Sequence, residues 1–147
     1  MPEARITWRD KQLNKRTVAM IQAAEKLARF QFTIMQGSYN SGGVTASAGT
    51  HDGGGAIDVA ADQLNAAQRK AVVLALRQVG FAAWLRTPAQ GNWPYHVHAI
   101  AVGDKDLSRG AAHQVAESGP RQSRCLGLWP AGLRPCDRCG VCDGCGS

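Results

Sequence analysis

Four side chains in two short segments of the sequence could together bind a metal ion. The first segment carries His51 and Asp58, with glycines at 53–55 between them. The second segment carries His96 and His98, about forty residues further along the chain. Imidazole nitrogens and carboxylate oxygens are zinc ligands, and catalytic zinc sites use three protein ligands so that water can take the fourth position. The sequence therefore predicts a Zn²⁺ cofactor.

These four groups are one more than a three-ligand zinc site needs. Residues two apart in a β-strand point to the same face, so His96 and His98 are expected to share a face. Asp58 lies in a short apolar stretch, where a buried carboxylate is costly unless a positive charge meets it. We interpret His51, Asp58 and His98 as the metal ligands and His96 as a catalytic neighbour. Two alternatives stay open, because the two roles of His96 and His98 could be exchanged, or all four groups could bind the metal.

The pattern of apolar residues around these segments predicts an α+β domain with a small, mostly antiparallel sheet covered by helices. Helical periodicity and capping signals predict helices over residues 10–29, 65–79 and 104–116, the first with Asp10 or Asn14 as its N-cap. Alternating or continuous apolar runs predict strands over residues 30–35, 56–60, 81–85 and 96–102.

A polar, glycine-rich loop over residues 36–43 precedes the first segment. Loops of this kind commonly carry binding residues on a rigid scaffold, so we expect it to line a substrate site. The predicted substrate contacts are four residues of this loop and the tyrosine that precedes His96: Gln36, Ser38, Tyr39, Asn40 and Tyr95.

The composition changes abruptly after the predicted domain. The chain has 147 residues, of which 44% are hydrophobic and 19% charged, as in one ordinary globular domain. Residues 119–147 are dominated by Gly, Cys, Arg and Pro, and all five cysteines follow residue 124. The cysteine spacing fits neither paired zinc ligands nor a ferredoxin cluster. We therefore expect a domain over residues 1–118 and a disordered tail over 119–147.

The two segments resemble a known family of zinc peptidases. The pattern H-x-x-G-x-A-x-D beginning at His51, followed by H-x-H beginning at His96, looks like peptidase family M15. This family contains zinc D-Ala-D-Ala carboxypeptidases and phage endolysin peptidases, and it shares its fold with the Hedgehog signalling domain. The resemblance covers roughly residues 10–117. It implies a zinc enzyme that hydrolyses peptide bonds in bacterial peptidoglycan stem peptides or cross-links.

Three positions depart from the pattern of that family. Gly49 stands where the family usually has a serine, and the loop before the first motif lacks the arginine that many members use at the oxyanion. Tyr95 stands where many members carry an acidic general base, and the segment Gln63–Gly103 contains no Asp or Glu. His96 is then the nearest candidate base and Asp52 a weaker one. The alternative function is a catalytically silent zinc-binding module that binds wall peptides or a protein partner.

The expected partners are peptidoglycan peptides. The net charge of +6 comes without a dense run of Lys and Arg, so we expect no nucleic acid partner. No stretch of eighteen apolar residues occurs, so we expect no membrane span, and residues 1–5 lack the features of a secretory signal. We expect a monomer that is cytoplasmic or reaches the wall through a lysis system.

Overall fold

The computed structural model describes residues 1–40 and 48–123, with side chains to residue 118. Helices and antiparallel strands make up this part of the chain, which confirms the α+β class. The predicted tail lies outside it from residue 124 onward, together with all five cysteines. None of the described helices is both long and apolar enough to cross a membrane. In chain order the elements are β1 (Arg5–Trp8), β2 (Lys11–Asn14), α1 (Lys15–Ala28), β3 (Ile34–Gln36), β4 (Ala56–Ala60), α2 (Ala66–Val79), β5 (Phe81–Arg86), a 3₁₀ turn (Pro88–Gln90), β6 (His96–Ala101) and α3 (Arg109–Ser123).

A β-hairpin occupies the position where the first helix was predicted to begin. Strands β1 and β2 pair antiparallel, and Arg9 and Asp10 turn the chain between them with φ angles of 50° and 62°. Two successive left-handed residues match the twist of a tight hairpin, so Asp10 is a turn residue and the predicted start at residue 10 is wrong. The other predicted cap, Asn14, is confirmed: its side-chain oxygen accepts a hydrogen bond from the Thr17 amide at 2.8 Å.

The main sheet has the strand order β3-β4-β6-β5, with antiparallel pairing throughout. One face of this sheet packs against α1 and α2 and forms the main core. Helix α2 begins with the predicted capping box, in which Asn65 and Gln68 each bond to the other's backbone, and it ends at Gly80. Fully buried side chains of this core include Ile21, Ile57, Val59, Val72, Leu76, Phe81 and Val97.

The opposite face of the sheet is covered by α3 over only part of its length. Ala56 and Ile100, adjacent on β4 and β6, pack under Ala111 of α3 and form a second, smaller core. Next to this pair on the same face, two residues after Ala56 and two before Ile100, lie Asp58 and His98 in place of apolar side chains. The end of α3 therefore borders a polar region on the sheet.

Strand β3 is shorter than the predicted strand over residues 30–35, and it contains a register shift. Ile34 pairs with Val59 on the core side, whereas Gln36 pairs with Asp58. In a regular strand Ile34 and Gln36 would share a face. A bulge at Met35 breaks that alternation, since an extra residue in one strand re-aims the side chains that follow it. Gln36 consequently belongs to the face that carries Asp58.

Helix α3 begins at Arg109, five residues later than predicted, and it runs to Ser123. The segment before it is a turn, in which the Asp106 amide donates to the Asp104 carboxylate at 2.8 Å and the Asp104 amide donates to the Ala101 carbonyl at 3.2 Å. Such local side-chain-to-backbone bonds compete with helix formation. The predicted start at residue 104 is therefore wrong.

Candidate metal centre

His51, Asp58 and His98 converge on the partly covered face of the sheet. One potential ligand atom from each lies within 4.8 Å of the other two, so the group could hold a metal ion. Asp58 and His98 are register partners on β4 and β6, and His51 reaches them from the loop before β4. The two imidazoles are only 1% and 6% exposed. The sequence prediction that these three residues come together is confirmed.

The glycine run fixes the loop that carries His51. A Cβ atom on Gly53 would lie 2.2 Å from the Asp106 carbonyl oxygen, and the Gly54 amide donates to that same oxygen at 2.7 Å. On its other side the loop bonds to the segment after β3, where the Asn40 amide donates to the His51 carbonyl at 2.9 Å. The glycines therefore permit close packing of two backbone segments around His51.

Hydrogen bonds to acceptors outside the group determine which nitrogen of each ring donates outward and which faces Asp58. His51 Nδ1 lies 2.8 Å from the Gly37 carbonyl oxygen, which can only accept, so Nδ1 carries a proton and Nε2 faces Asp58. His98 Nε2 lies 3.0 Å from Gln114 Oε1, an acceptor, so Nε2 carries a proton and Nδ1 faces Asp58. These two atoms lie 3.3 and 2.8 Å from the same oxygen of Asp58, Oδ1.

Two ring nitrogens and a carboxylate oxygen at this spacing need protons or a cation between them. Burial alone would raise the pKa of Asp58, but hydrogen bonds and positive charge from His51 and His98 outweigh it and lower the pKa well below its usual range. Asp58 is consequently ionised and attracts either protons on the two rings or a cation among them. This competition between protons and metal is typical of metal sites.

Two residues that the sequence did not indicate complete the surroundings of His98. Gln114 of α3 accepts from its Nε2, and the indole of Trp84 stacks on its ring with centroids 5.8 Å apart and planes at 21°. Bonds of this kind orient metal-binding histidines. Trp84 could have been found from the strand pattern, because it pairs with His98 across β5 and β6. Gln114 gave no signal, since it lies on a helix whose start was misplaced.

His96 lies on the same face as this group but is not part of it. It is two residues before His98 on β6, and it pairs with Ala60 on one side and Arg86 on the other. Its Nδ1 lies 2.9 Å from the Pro94 carbonyl oxygen and donates to it. The edge-on ring of Trp93, 5.8 Å away, packs against it. Of the two open assignments, the geometry favours His98 as the ligand.

Three of the predicted substrate contacts lie near the group, with different hydrogen bonding. Gln36 pairs in register with Asp58, and its Nε2 is buried without a hydrogen-bond partner among residues 1–40 and 48–123. Ser38 is fully buried, and its hydroxyl donates to the Ala56 carbonyl at 2.8 Å. Asn40 donates through Nδ2 to the Gly37 carbonyl that also accepts from His51. Gln36 therefore offers a buried donor that no described residue uses.

The two predicted tyrosines make their contacts elsewhere. Tyr39 donates its hydroxyl proton to Asp106 at 2.7 Å and accepts from Asn14 at 3.2 Å, and burial raises its pKa to about 12. The ring of Tyr95 packs on the main core beneath the guanidinium of Arg69 from α2, which lies 3.7 Å from the ring centroid. Both rings are therefore engaged in holding the fold together.

The chain matches no family model, no curated protein and no solved structure. The resemblance to peptidase family M15 consequently stays a prediction from two short motifs. Any function proposed for the protein depends on the chemistry of the His51–Asp58–His98 group and its neighbours.

Proposed function

We propose that the protein is a zinc-dependent peptidase that hydrolyses peptide bonds of bacterial peptidoglycan stem peptides or cross-links. The observation that carries this proposal is the convergence of two buried imidazole nitrogens on one carboxylate oxygen. Two nitrogens and one oxygen suit zinc, and three protein ligands are the number that catalytic zinc sites use. The family resemblance of the motifs supports the substrate class.

His51, Asp58 and His98 would hold the zinc through Nε2, a carboxylate oxygen and Nδ1. When bound, zinc supplies Lewis acidity to a substrate carbonyl and lowers the pKa of a coordinated water. Gly37 and Gln114 keep the two ligand lone pairs directed inward by accepting the protons on the far sides of the rings. This pre-organisation removes the need to reorient either ring when the metal binds.

His96 would move the proton in the reaction. Its bond to the Pro94 carbonyl places a proton on Nδ1, so in the neutral ring Nε2 is the atom that would take a proton from water and pass it to the leaving amine. Gln36 would bind the substrate, because its buried Nε2 lies in the Asp58 row of the sheet and has no partner among the described residues. A neutral amide there could donate to a substrate carbonyl, in place of the arginine that the loop lacks.

One observation favours the alternative, a catalytically silent zinc-binding module. Tyr95 occupies the sequence position where the resembling family often carries an acidic base, and its ring packs under Arg69 on the α2 side of the sheet. If His96 cannot replace that acid, the same group would bind metal and wall peptides without hydrolysis.

Hydrolysis of purified peptidoglycan by the zinc-loaded protein distinguishes the two functions. We expect the wild type to release peptides, and His96→Ala to lose about 100-fold or more of the rate while keeping its zinc. His113→Ala is the matched control, because His113 is 71% exposed on α3 and pairs only with Glu117 in the described structure. Bound zinc without peptide release from any wall type would establish the silent module instead.

A further inference from the structure

Arg86 lies on the same face of the sheet as the metal group, at the end of the polar region. It is the register partner of His96, at the end of the edge strand β5. Within the part of the chain that the structure describes, its guanidinium makes no hydrogen bond or ion pair. The guanidinium carbon lies 5.7 Å from the centroid of the Trp84 ring. A half-buried arginine that is left unpaired beside a reactive group is a candidate anion-binding residue.

The lack of acidic residues in the strands next to Arg86 also supports an anion-binding role. The sequence contains no Asp or Glu between Gln63 and Gly103, so β5, β6 and their connection supply no acid to neutralise this arginine. Trp84 and Trp93 flank the two histidines of β6 and give the region aromatic walls. An anion that entered there would meet a fixed positive charge in surroundings less polar than water, where that charge acts more strongly.

The distance between neighbouring cross-strand rows of side chains, each formed by register partners, limits which anion can reach both the metal group and Arg86. The row that contains Asp58 and His98 lies two residues, about 6.7 Å, from the row that contains His96 and Arg86. Consecutive residues of a peptide lie about 3.8 Å apart. If a peptide carbonyl sits at the metal group, the carboxylate of the next residue falls between the rows, within reach of the long Arg86 side chain.

We propose that Arg86 binds the C-terminal carboxylate of the substrate, so that the protein is a carboxypeptidase that removes one terminal residue. This inference rests on the proposed peptidase function and deepens it by naming the position of the bond that is cleaved. A guanidinium binds a carboxylate through two parallel N–H donors, which also fixes the orientation of the terminal residue. A peptide that continued beyond this point would lack the charge that Arg86 recognises.

Binding to the metal-free protein tests Arg86 separately from catalysis. The probes are an N-acylated tripeptide ending in D-Ala-D-Ala and its C-terminal amide, titrated by tryptophan fluorescence after the metal has been chelated. Removing the metal prevents turnover and prevents a carboxylate from binding zinc directly. We expect the acid to bind about tenfold more tightly than the amide, which is a typical effect of one charge-assisted contact. Arg86→Gln should abolish that preference.

Lys26→Gln is the matched control, since it removes one positive charge from an exposed position on α1, behind the other face of the sheet. It should keep the preference for the acid. Equal binding of acid and amide by the wild type, or a preference that survives Arg86→Gln, would overturn the role of Arg86. If the preference is present and depends on Arg86 but the zinc-loaded protein cleaves neither peptide, the anion site stands and the peptidase function fails.

Discussion

Asp58 and His98 are register partners on adjacent antiparallel strands, and Asp58 Oδ1 lies 2.8 Å from His98 Nδ1. Directly opposite residues on one face of a sheet bring their side chains together without any loop to position them. His51, by contrast, depends on a loop packed against the turn before α3. The group therefore combines two rigidly placed ligands with a third whose position depends on glycine packing.

Gln114→Ala should weaken zinc binding by about 10- to 100-fold, because it removes the acceptor that keeps the proton of His98 on Nε2. The protein should fold normally, since Gln114 is a partly buried residue near the end of the described side chains of α3. Gln114→Glu is the matched variant, because a carboxylate preserves the acceptor and should preserve affinity. Zinc titration against a competing chelator gives the constants, and wild-type affinity in Gln114→Ala would contradict the assignment.

Gly53→Ala should destabilise the protein by about 3 kcal/mol or more, because its Cβ would collide with backbone atoms of Asp106 and Ser108 that cannot move independently. Gly80→Ala provides the comparison. Gly80 has a φ of 112°, but a Cβ there meets only the flexible end of Met20 at 3.2 Å, so a cost of about 1–2 kcal/mol is expected. Urea denaturation of both variants measures the difference, and equal costs would show that the close packing at Gly53 is unimportant.

Asn14→Ala should cost about 2–4 kcal/mol of the free energy of unfolding. It removes the N-cap of α1, worth about 1 kcal/mol, and it removes the Asn14 donor to Oδ2 of the buried Asp104 carboxylate, worth about 1–3 kcal/mol. Asn14→Asp keeps the cap acceptor but places a second carboxylate beside Asp104, so this variant should also be less stable than the wild type. A loss below about 1 kcal/mol in Asn14→Ala, measured by denaturant titration, would indicate that the network contributes only its cap.

Stability should fall as the pH rises above about 10, in part because of Tyr39. Its pKa is raised to about 12 in the folded protein from an ordinary value of 10.0, so between these values the unfolded chain releases a proton that the folded chain keeps. The unfolded state then binds fewer protons, and the free energy of unfolding decreases with pH across this window. Below it, Tyr39 contributes no pH dependence. Tyr39→Phe should show a smaller decrease in denaturation midpoint, and an unchanged decrease would refute the prediction.

The pairing of Asp58 with His98 could be predicted from the sequence, because their placement follows from strand periodicity. Strands β4 and β6 carry a regular alternation, so residues two apart share a face and Asp58 can meet His98. The register that brings Arg86 beside His96 also follows a regular strand. Its importance was missed because the sequence does not show which strands are adjacent.

Other features depend on tertiary contacts that the sequence does not display. The segment before α1 has helix-like apolar spacing, yet a left-handed turn at Arg9 and Asp10 makes it a hairpin. No single residue type in β3 indicates the bulge, so the side of the sheet on which the Gln36 side chain lies could not be predicted. The position of Gln114 depends on how α3 docks against the sheet, which in turn depends on the turn at Asp104.

Zinc stoichiometry and affinity in the wild type, Asp58→Asn and His113→Ala test the central claim most directly. Asp58→Asn preserves the shape of the side chain but removes the charge on which both imidazoles converge, whereas His113 is an exposed histidine of α3. The account predicts one zinc per chain in the wild type and in His113→Ala, and at least a 100-fold loss of affinity in Asp58→Asn, because the bound cation loses its only anionic ligand. No zinc in the wild type, or unchanged affinity in Asp58→Asn, would contradict it.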